Sequence, residues 1–159
     1  MTTQEDNGAI TVLISRFFRT LNERRFEGDW GKEYFTDDVR AESPHGTAVG
    51  AEAVRQSQQA VEDWAVIQYM NTDILIDGDT DSATASWNSL MTHIHHESTL
   101  QKLGEGLDPL FTVGGVWDVD VRRTVDGWRF SRTSVRPIWM TGTAPQLRAS
   151  AERSDPATS

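Results

Sequence analysis

Residues 93–96 read His-Ile-His-His, so three of the four histidines in the chain fall within four residues. Histidine is the side chain whose ordinary pKa lets it take or give a proton near neutral pH. Between Trp87 and His95, the residues Trp87, Ser89, Met91, His93 and His95 occupy every second position. In an extended strand that spacing puts them on one face. The same alternation groups Gly115, Trp117, Val119 and Val121, and further on Ser131, Thr133 and Val135. An apolar strand face turns to the core, so His93 is expected among Met91, Ser89 and Trp117, as an acid–base group before an aromatic wall. Asn22 can donate a hydrogen bond to a substrate oxygen. Tyr69 or Tyr34 can supply a weak acid.

Each of these residues also has a plainer use. His93 at a strand end can simply bond a backbone carbonyl, Asn22 can terminate a helix, and Trp117 can be core. His45 beside Pro44 reads as an exposed loop residue, and Asp37-Asp38 as turn chemistry. Asp118, Asp120, Arg122 and Arg123 alternate with apolar residues and read as a solvated or dimer-forming face. His93 and His95, two apart on a strand, could share a metal. Further ligands would then have to come from elsewhere, such as His45 or Glu97. The His-x-His strand of cupins expects a carboxylate further on than Glu97, and cupins lack long N-terminal helices, so no metal is assigned.

The elements that must position these residues follow from periodicity. Ile10, Leu13, Ile14, Phe17, Phe18 and Leu21 recur at three- and four-residue spacing and predict a helix over 8–26, stopped at Gly28. Asp29 is expected to cap a short second helix with Trp30, Tyr34 and Phe35 on one side. Val39–Ser43 reads as a short strand. A third helix is expected over 51–64, burying Ala53, Val54, Ser57, Ala60, Val61 and Trp64. The period then changes to two, giving strands over 66–77, 82–96, 111–124 and 128–139, with 97–109 as a loop. Asp77-Gly78-Asp79 and Asp126-Gly127 mark turns. Helices first and strands later predict an α+β domain over 1–142. Beyond Gly142, residues 143–159 read as a mobile tail.

Composition bounds the rest. A chain of 159 residues predicts one core, and 37% hydrophobic residues with six Trp and six Phe can fill it. No apolar run reaches the roughly 18–20 residues of a membrane span. The polar, acidic start MTTQEDNG resembles neither a signal nor a transit peptide, so a cytoplasmic protein is the expectation. There is no cysteine, which excludes disulfides, thiolate metal sites and Cys nucleophiles. The net charge of −9, with Arg24-Arg25 and Arg122-Arg123 as isolated pairs, argues against nucleic acid as a partner.

The segments DWGKEYFTDDV, GAEAV, ILIDGDTDSATASW and GGVWDVDVRRTVDGWRFSRTSV resemble the nuclear transport factor 2-like superfamily, and within it the SnoaL-like polyketide cyclase and scytalone dehydratase branch. The resemblance covers roughly residues 8–142 and rests on joint order and spacing. It implies a cone-like half-barrel, with a curved, mostly antiparallel sheet wrapped around N-terminal helices and a half-open pocket between them. It further implies cofactor-free acid–base chemistry on a small hydrophobic cyclic substrate, with cyclase, dehydratase and isomerase as the candidate reactions, or a non-catalytic binding role, and a homodimer. Carried over position by position, the acid–base His of the dehydratase pattern falls on His93. Its second His falls on Ile67, its helix Tyr and Asp on Leu21 and Asn22, and a strand Tyr near Ser43. Its Ser and Asn fall on Gly115 and Trp117, and the acidic residue of many SnoaL-like members on Val119. The expected site is therefore His93 and Asn22 as catalytic residues. Trp117, Ser89, Met91, Tyr69, Tyr34, Ile67, Leu21, Val119 and Thr133 are expected around the substrate, in a lining drier and more aromatic than the dehydratase's.

Overall fold

The computed structural model describes residues 1–146. The chain opens with α1 (Gln4–Glu23). Its apolar stripe is the expected one, buried from Ile10 to Leu21, but it starts four residues before position 8. The cause is a capping box: the Asp6 N–H donates to the Thr3 hydroxyl at 3.0 Å, and the Thr3 N–H donates to the Asp6 carboxylate at 3.2 Å. A polar first turn held by its cap is invisible to hydrophobic periodicity. The far end is closed by Arg24 in the left-handed conformation (φ 56°), not by Gly28.

Asp29 makes no side-chain cap, and the expected second helix is a single 3-10 turn, Trp30–Glu33. Trp30, Tyr34 and Phe35 are all buried; Tyr34 and Phe35 pack on Phe17, and Trp30 packs on Phe35. β1 (Phe35–Ser43) is longer than expected, and the turn at Pro44 returns the chain as β2 (Gly46–Val49), which alternation did not reveal because it is four residues long. α2 (Ala51–Glu62) buries Ala53 and Val61, with Trp64 just beyond its end, while Ala60 is exposed. β3 (Val66–Gly78) and β4 (Ser82–Ile94) form a long hairpin. The segment expected as a loop over 97–109 contains α3 (Glu97–Leu103), with no buried residue. Glu97 in its first turn and Lys102 in its last both suit the helix dipole. β5 (Leu110–Thr124) and β6 (Gly127–Gly142) complete the fold.

The six strands form one unclosed sheet in the order β2-β1-β6-β5-β4-β3. All neighbours are antiparallel except β1 and β6, which run parallel. Four register shifts bend it: one between Phe35 and Arg40 in β1, one at Asp73 (φ 59°) in β3, one between Gly114 and Gly115, and one between Asp120 and Val121. The last leaves Ser131 unpaired in β6, so Phe130 and Thr133 both face inward and Ser131 does not share the face of Thr133. β1 accompanies β6 only to Ser134, so Pro137 stands where β6 has no partner on that side. α1 lies across the concave face, and the resulting α+β half-barrel is the expected fold class. Among the described residues no helix is long and apolar enough to cross a membrane. Of the tail expected over 143–159, residues 147–159 lie outside the described residues; Thr143 still bonds the Leu110 carbonyl through its N–H at 2.9 Å.

The first turn of α1 is tied to the β5–β6 hairpin. Arg123 donates to the Asp6 carboxylate at 2.5 Å and stacks 4.7 Å over the Trp128 ring, and the Trp128 indole N–H also faces Asp6 at 3.4 Å. The Arg123 hydrogen bond first, and the Thr3 backbone and hydroxyl bonds after it, hold the Asp6 carboxyl down to about 2 against an ordinary 3.8. The folded carboxyl is the stronger acid. Its contribution is therefore complete above the ordinary value and is lost as pH falls toward about 2. Urea melts of the wild type should lose stability through that window, and Asp6→Asn should flatten that part of the profile.

Candidate active site

The site grows from a cross-strand row in which Ile67 of β3, His93 of β4 and Phe111 of β5 lie side by side. Alternation turns all three to the concave face, where His93 is 6% exposed. Its Nδ1 lies 3.0 Å from the Phe111 carbonyl oxygen and its Nε2 2.8 Å from the Tyr69 hydroxyl. A carbonyl oxygen only accepts, so Nδ1 carries the proton. Nε2 is then the lone pair that accepts from the Tyr69 O–H. The Trp64 ring packs against the imidazole at 4.4 Å between centroids, and Phe111 at 5.6 Å. No carboxylate bonds the ring. Burial pushes the His93 pKa below its ordinary 6.5, the Phe111 bond opposes this, and the charge on His95 adds to it. The resting imidazole is neutral and basic only at Nε2. Tyr69 as a residue is half-buried, but its hydroxyl is the enclosed end, and desolvation pushes the phenol well above its ordinary value of 10.

Two consecutive features at the end of α1 position this pair. The Asn22 side-chain oxygen accepts the Tyr69 N–H at 2.9 Å, and its amide nitrogen donates to the Tyr69 carbonyl at 3.1 Å. Arg24, at the α1 C-cap, donates to the Trp64 carbonyl at 2.5 Å. Asn22 thus fixes the backbone of the tyrosine that bonds His93, in place of the expected hydrogen bond to substrate. Arg24 fixes the residue whose ring covers the imidazole.

The other expected residues divide by row. Met91 pairs with Tyr69 and Val113 in the next row, then Ser89 with Asn71 and Gly115, then Trp87 with Trp117. Phe18 of α1 reaches from Tyr69 (6.2 Å between centroids) to Trp117 (5.1 Å). Ile67, Met91, Ser89 and Tyr69 therefore join His93, with Trp117 deeper along the same face. Leu21 is buried in the α1 stripe as core. Val119 and Thr133 pair with each other beside Ala85, eight residues from His93 along β4 and about 26 Å away at strand spacing. The Tyr34 hydroxyl is taken by Thr20 at 2.6 Å. These last three do not reach the imidazole. Trp64 and Asn71 were not expected in the site. Asn71 follows Ile67 and Tyr69 at alternate positions and was within reach of the pattern; Trp64 comes from another element and was not.

The neighbouring histidines also hold the backbone. His95 Nε2 donates to the Thr143 carbonyl at 2.7 Å, and His96 Nε2 donates to the Glu62 carbonyl at 3.0 Å. His45 is exposed on the β1–β2 turn. No group of three or more metal-ligating side chains is found among the described residues. A cleft of about 400 Å³ between the 3-10 turn, β1 and α2, lined by Trp30, Thr36, Val54, Arg55 and Gln58, includes none of the residues around His93. Met91, two residues from His93 on the same strand face, and Phe18, which packs on Tyr69, are both nearly fully buried.

A family model described as "SnoaL-like domain" matches residues 2–134. No curated protein matches the sequence. Among solved structures, the Kfla4162 protein from Kribbella flavida superposes with a TM-score of 0.74 at 18% identity, over 87% of this chain and 94% of its own. The hexachlorocyclohexane dehydrochlorinase LinA-type3 from Novosphingobium barchaimii LL02 gives 0.70 at 19% identity, over 89% and 95%. A nuclear transport factor 2-like superfamily protein from Salmonella enterica gives 0.69 at 14%, over 95% and 100%. At these identities the likeness is one of fold.

The bonding of His93 has a spectroscopic consequence. Long-range ¹H–¹⁵N spectra should show an Nδ1-protonated ring at neutral pH that titrates below 6.5. A histidine with a lowered folded pKa binds protons better unfolded. Its neutrality therefore supports the fold above about pH 6.5 and that support falls away in acid. An Nε2-protonated ring would contradict the assignment.

Proposed function

We propose, from the premise that this chain belongs to the SnoaL-like domain family, that it is a cofactor-independent acid–base enzyme. We place it as a cyclase, dehydratase or isomerase acting on a small hydrophobic cyclic intermediate of natural-product biosynthesis, in the cytoplasm and as a homodimer. The observation that carries this reading is the Tyr69–His93 pair, a neutral imidazole whose one free lone pair is bonded to an enclosed phenol.

Tyr69 presents its oxygen to a ligand while its proton points at His93 Nε2. When a substrate C–H or O–H gives its proton to the Tyr69 oxygen, the phenolic proton passes to Nε2, leaving an imidazolium bonded to the Phe111 carbonyl. The apolar surroundings of Trp64 and Phe111 disfavour that cation. It therefore returns the proton by the same route: to a leaving hydroxyl in a dehydration, or to another carbon in an isomerisation. Asn22 acts in this scheme as a positioning residue through Tyr69. That a structural neighbour is named a dehydrochlorinase, an elimination catalyst, supports the same kind of proton abstraction on this fold.

The second reading, a non-catalytic binding or accessory subunit, is favoured by the apolar residues Ile67 and Leu21 at positions where the dehydratase pattern carries His and Tyr. A homodimer is supported by apolar groups on the outer sheet face: Met70 is 55% exposed, Ile138 63% and Trp139 48%.

Turnover assayed on cyclic β-hydroxy ketones, followed by enone absorbance, should fall about 10²–10⁴-fold in His93→Gln and Tyr69→Phe. Asn22→Ala should give a smaller loss. Unchanged turnover in His93→Gln would refute the mechanism, and ligand retained without product by the wild type would establish the binding role. Sedimentation should show a dimer that Trp139→Lys converts to monomer.

A further inference from the structure

The Trp64 ring is shared between three neighbours. It packs on His93 at 4.4 Å between centroids and on His95 at 4.5 Å, and it lies nearly parallel to Phe111 at 5.7 Å, with 8° between planes. His95 comes two residues after His93, just past the end of β4, and is 4% exposed. In a close-packed interior a ring stays where its neighbours' hydrogen bonds hold them. His93 is held by the Phe111 carbonyl and the Tyr69 hydroxyl. His95 is held by the Thr143 carbonyl, to which its Nε2 donates at 2.7 Å. Without that bond the indole would lose a fixed neighbour on the His95 side.

Thr143 follows β6 directly and reaches the imidazole by two routes. Its carbonyl takes the His95 Nε2–H. Its N–H donates to the Leu110 carbonyl at 2.9 Å, and the next residue, Phe111, supplies the carbonyl that takes the His93 Nδ1–H. The approach depends on Gly142. Its φ of 92° is one that residues with a Cβ rarely adopt, and a Cβ there would overlap the Leu110 carbonyl oxygen. That oxygen belongs to the backbone beside Phe111 and cannot swing aside as a flexible side chain could. Among titratable groups, Tyr69 faces the His93 ring from β3, and His95 lies across the Trp64 indole. Phe111 on β5 and Trp64 bring no charge, Arg24 is engaged by the Trp64 carbonyl, and Glu62 and Asp63 before Trp64 are exposed. Burial lowers the His93 pKa, the Phe111 bond opposes this, and charge on His95 lowers it further.

We propose that His95 is a positioning residue for His93, acting through the shared Trp64 ring, and that the Gly142–Thr143 backbone sets it by holding the His95 imidazole. The end of β6 then fixes both the ring that covers His93 and the carbonyl that decides which of its nitrogens is basic. The effect of His95 on turnover rests on the acid–base reading of His93; its effect on the His93 ring does not.

The test is long-range ¹H–¹⁵N spectroscopy of the His93 ring in the full chain, paired with kinetics on the cyclic β-hydroxy ketones. His95→Phe keeps a ring against Trp64 but cannot donate to Thr143. His95→Gln can still donate through its amide. Gly142→Ala leaves His95 in place and displaces the backbone that holds it. In His95→Phe and Gly142→Ala, His93 should no longer be uniformly Nδ1-protonated, and kcat should fall about 10–100-fold with little change in KM, as when a reacting group is slightly misplaced. His95→Gln should restore the His93 tautomer and most of kcat, while the His93 titration moves up toward the ordinary 6.5 because the neighbouring charge is gone. A merely structural His95 would lower the melting temperature in these variants without moving the His93 tautomer, and that result overturns the proposal. So does a His95→Gln protein that behaves like His95→Phe, or one whose His93 titration is unmoved. Where His95→Phe or Gly142→Ala fails to fold, the other variant and His95→Gln decide. If turnover proves independent of His93 while its ring responds as described, the acid–base reading fails and the positioning role stands.

Discussion

The last turn of α1 is fastened to two other elements at once, and the geometry around His93 depends on that fastening. Asn22 bonds both backbone groups of Tyr69 on β3, and Arg24, two residues on, bonds the Trp64 carbonyl beyond α2. Each bond contributes only about 1 kcal/mol net. Their larger effect is to fix where the helix meets the sheet. Tyr69 and Trp64 flank the imidazole on two sides, so a helix end that shifted would move the phenol and the covering ring together. Asn22 makes its bonds from within the last turn of the helix, and Arg24 makes its bond from the left-handed residue that closes it.

The histidine so held has no carboxylate partner. It is oriented by a backbone carbonyl, and burial disfavours its protonated form, a combination that leaves the Nε2 lone pair to accept from Tyr69. His95 and His96 show the same habit of donating to carbonyls, from Thr143 and Glu62. The cluster thus closes the end of the β4–β5 hairpin, bringing the residues after β6 and the end of α2 to it. Structural and chemical uses coincide in His93: the bond to Phe111 that anchors it also decides which nitrogen is basic.

The opposite end of α1 is secured by different means, through Asp6, Arg123 and Trp128. Between the two ends the helix stripe lies over a sheet bent by four register shifts. The interior it closes is packed near His93 by Met91 and Phe18, yet carries unpartnered polar atoms deeper along the face.

Much of this was legible in the residues. The three- and four-residue spacing from Ile10 to Leu21 determined α1 and its buried side, and strict alternation from Trp87 to His95 placed His93 inward, because a strand face depends only on parity. The segments GGVWDVDVRRTVDGWRF and ILIDGDTDSATASW carried the fold class, which is set by element order and pattern. What stayed hidden depends on contacts between distant segments. The bulge at Ser131 reversed the parity that had grouped it with Thr133, and β2 and α3 were too short to show a period. Asn22 was legible as a polar residue at a helix end, but whether it faced a ligand or the Tyr69 backbone is decided by where β3 passes. Likewise the sequence alone put a histidine before an aromatic wall. Only the tertiary structure brought Trp64, Tyr69 and the Phe111 carbonyl around that ring, because a side chain's partners are fixed by cross-strand register and helix docking, neither of which local spacing encodes.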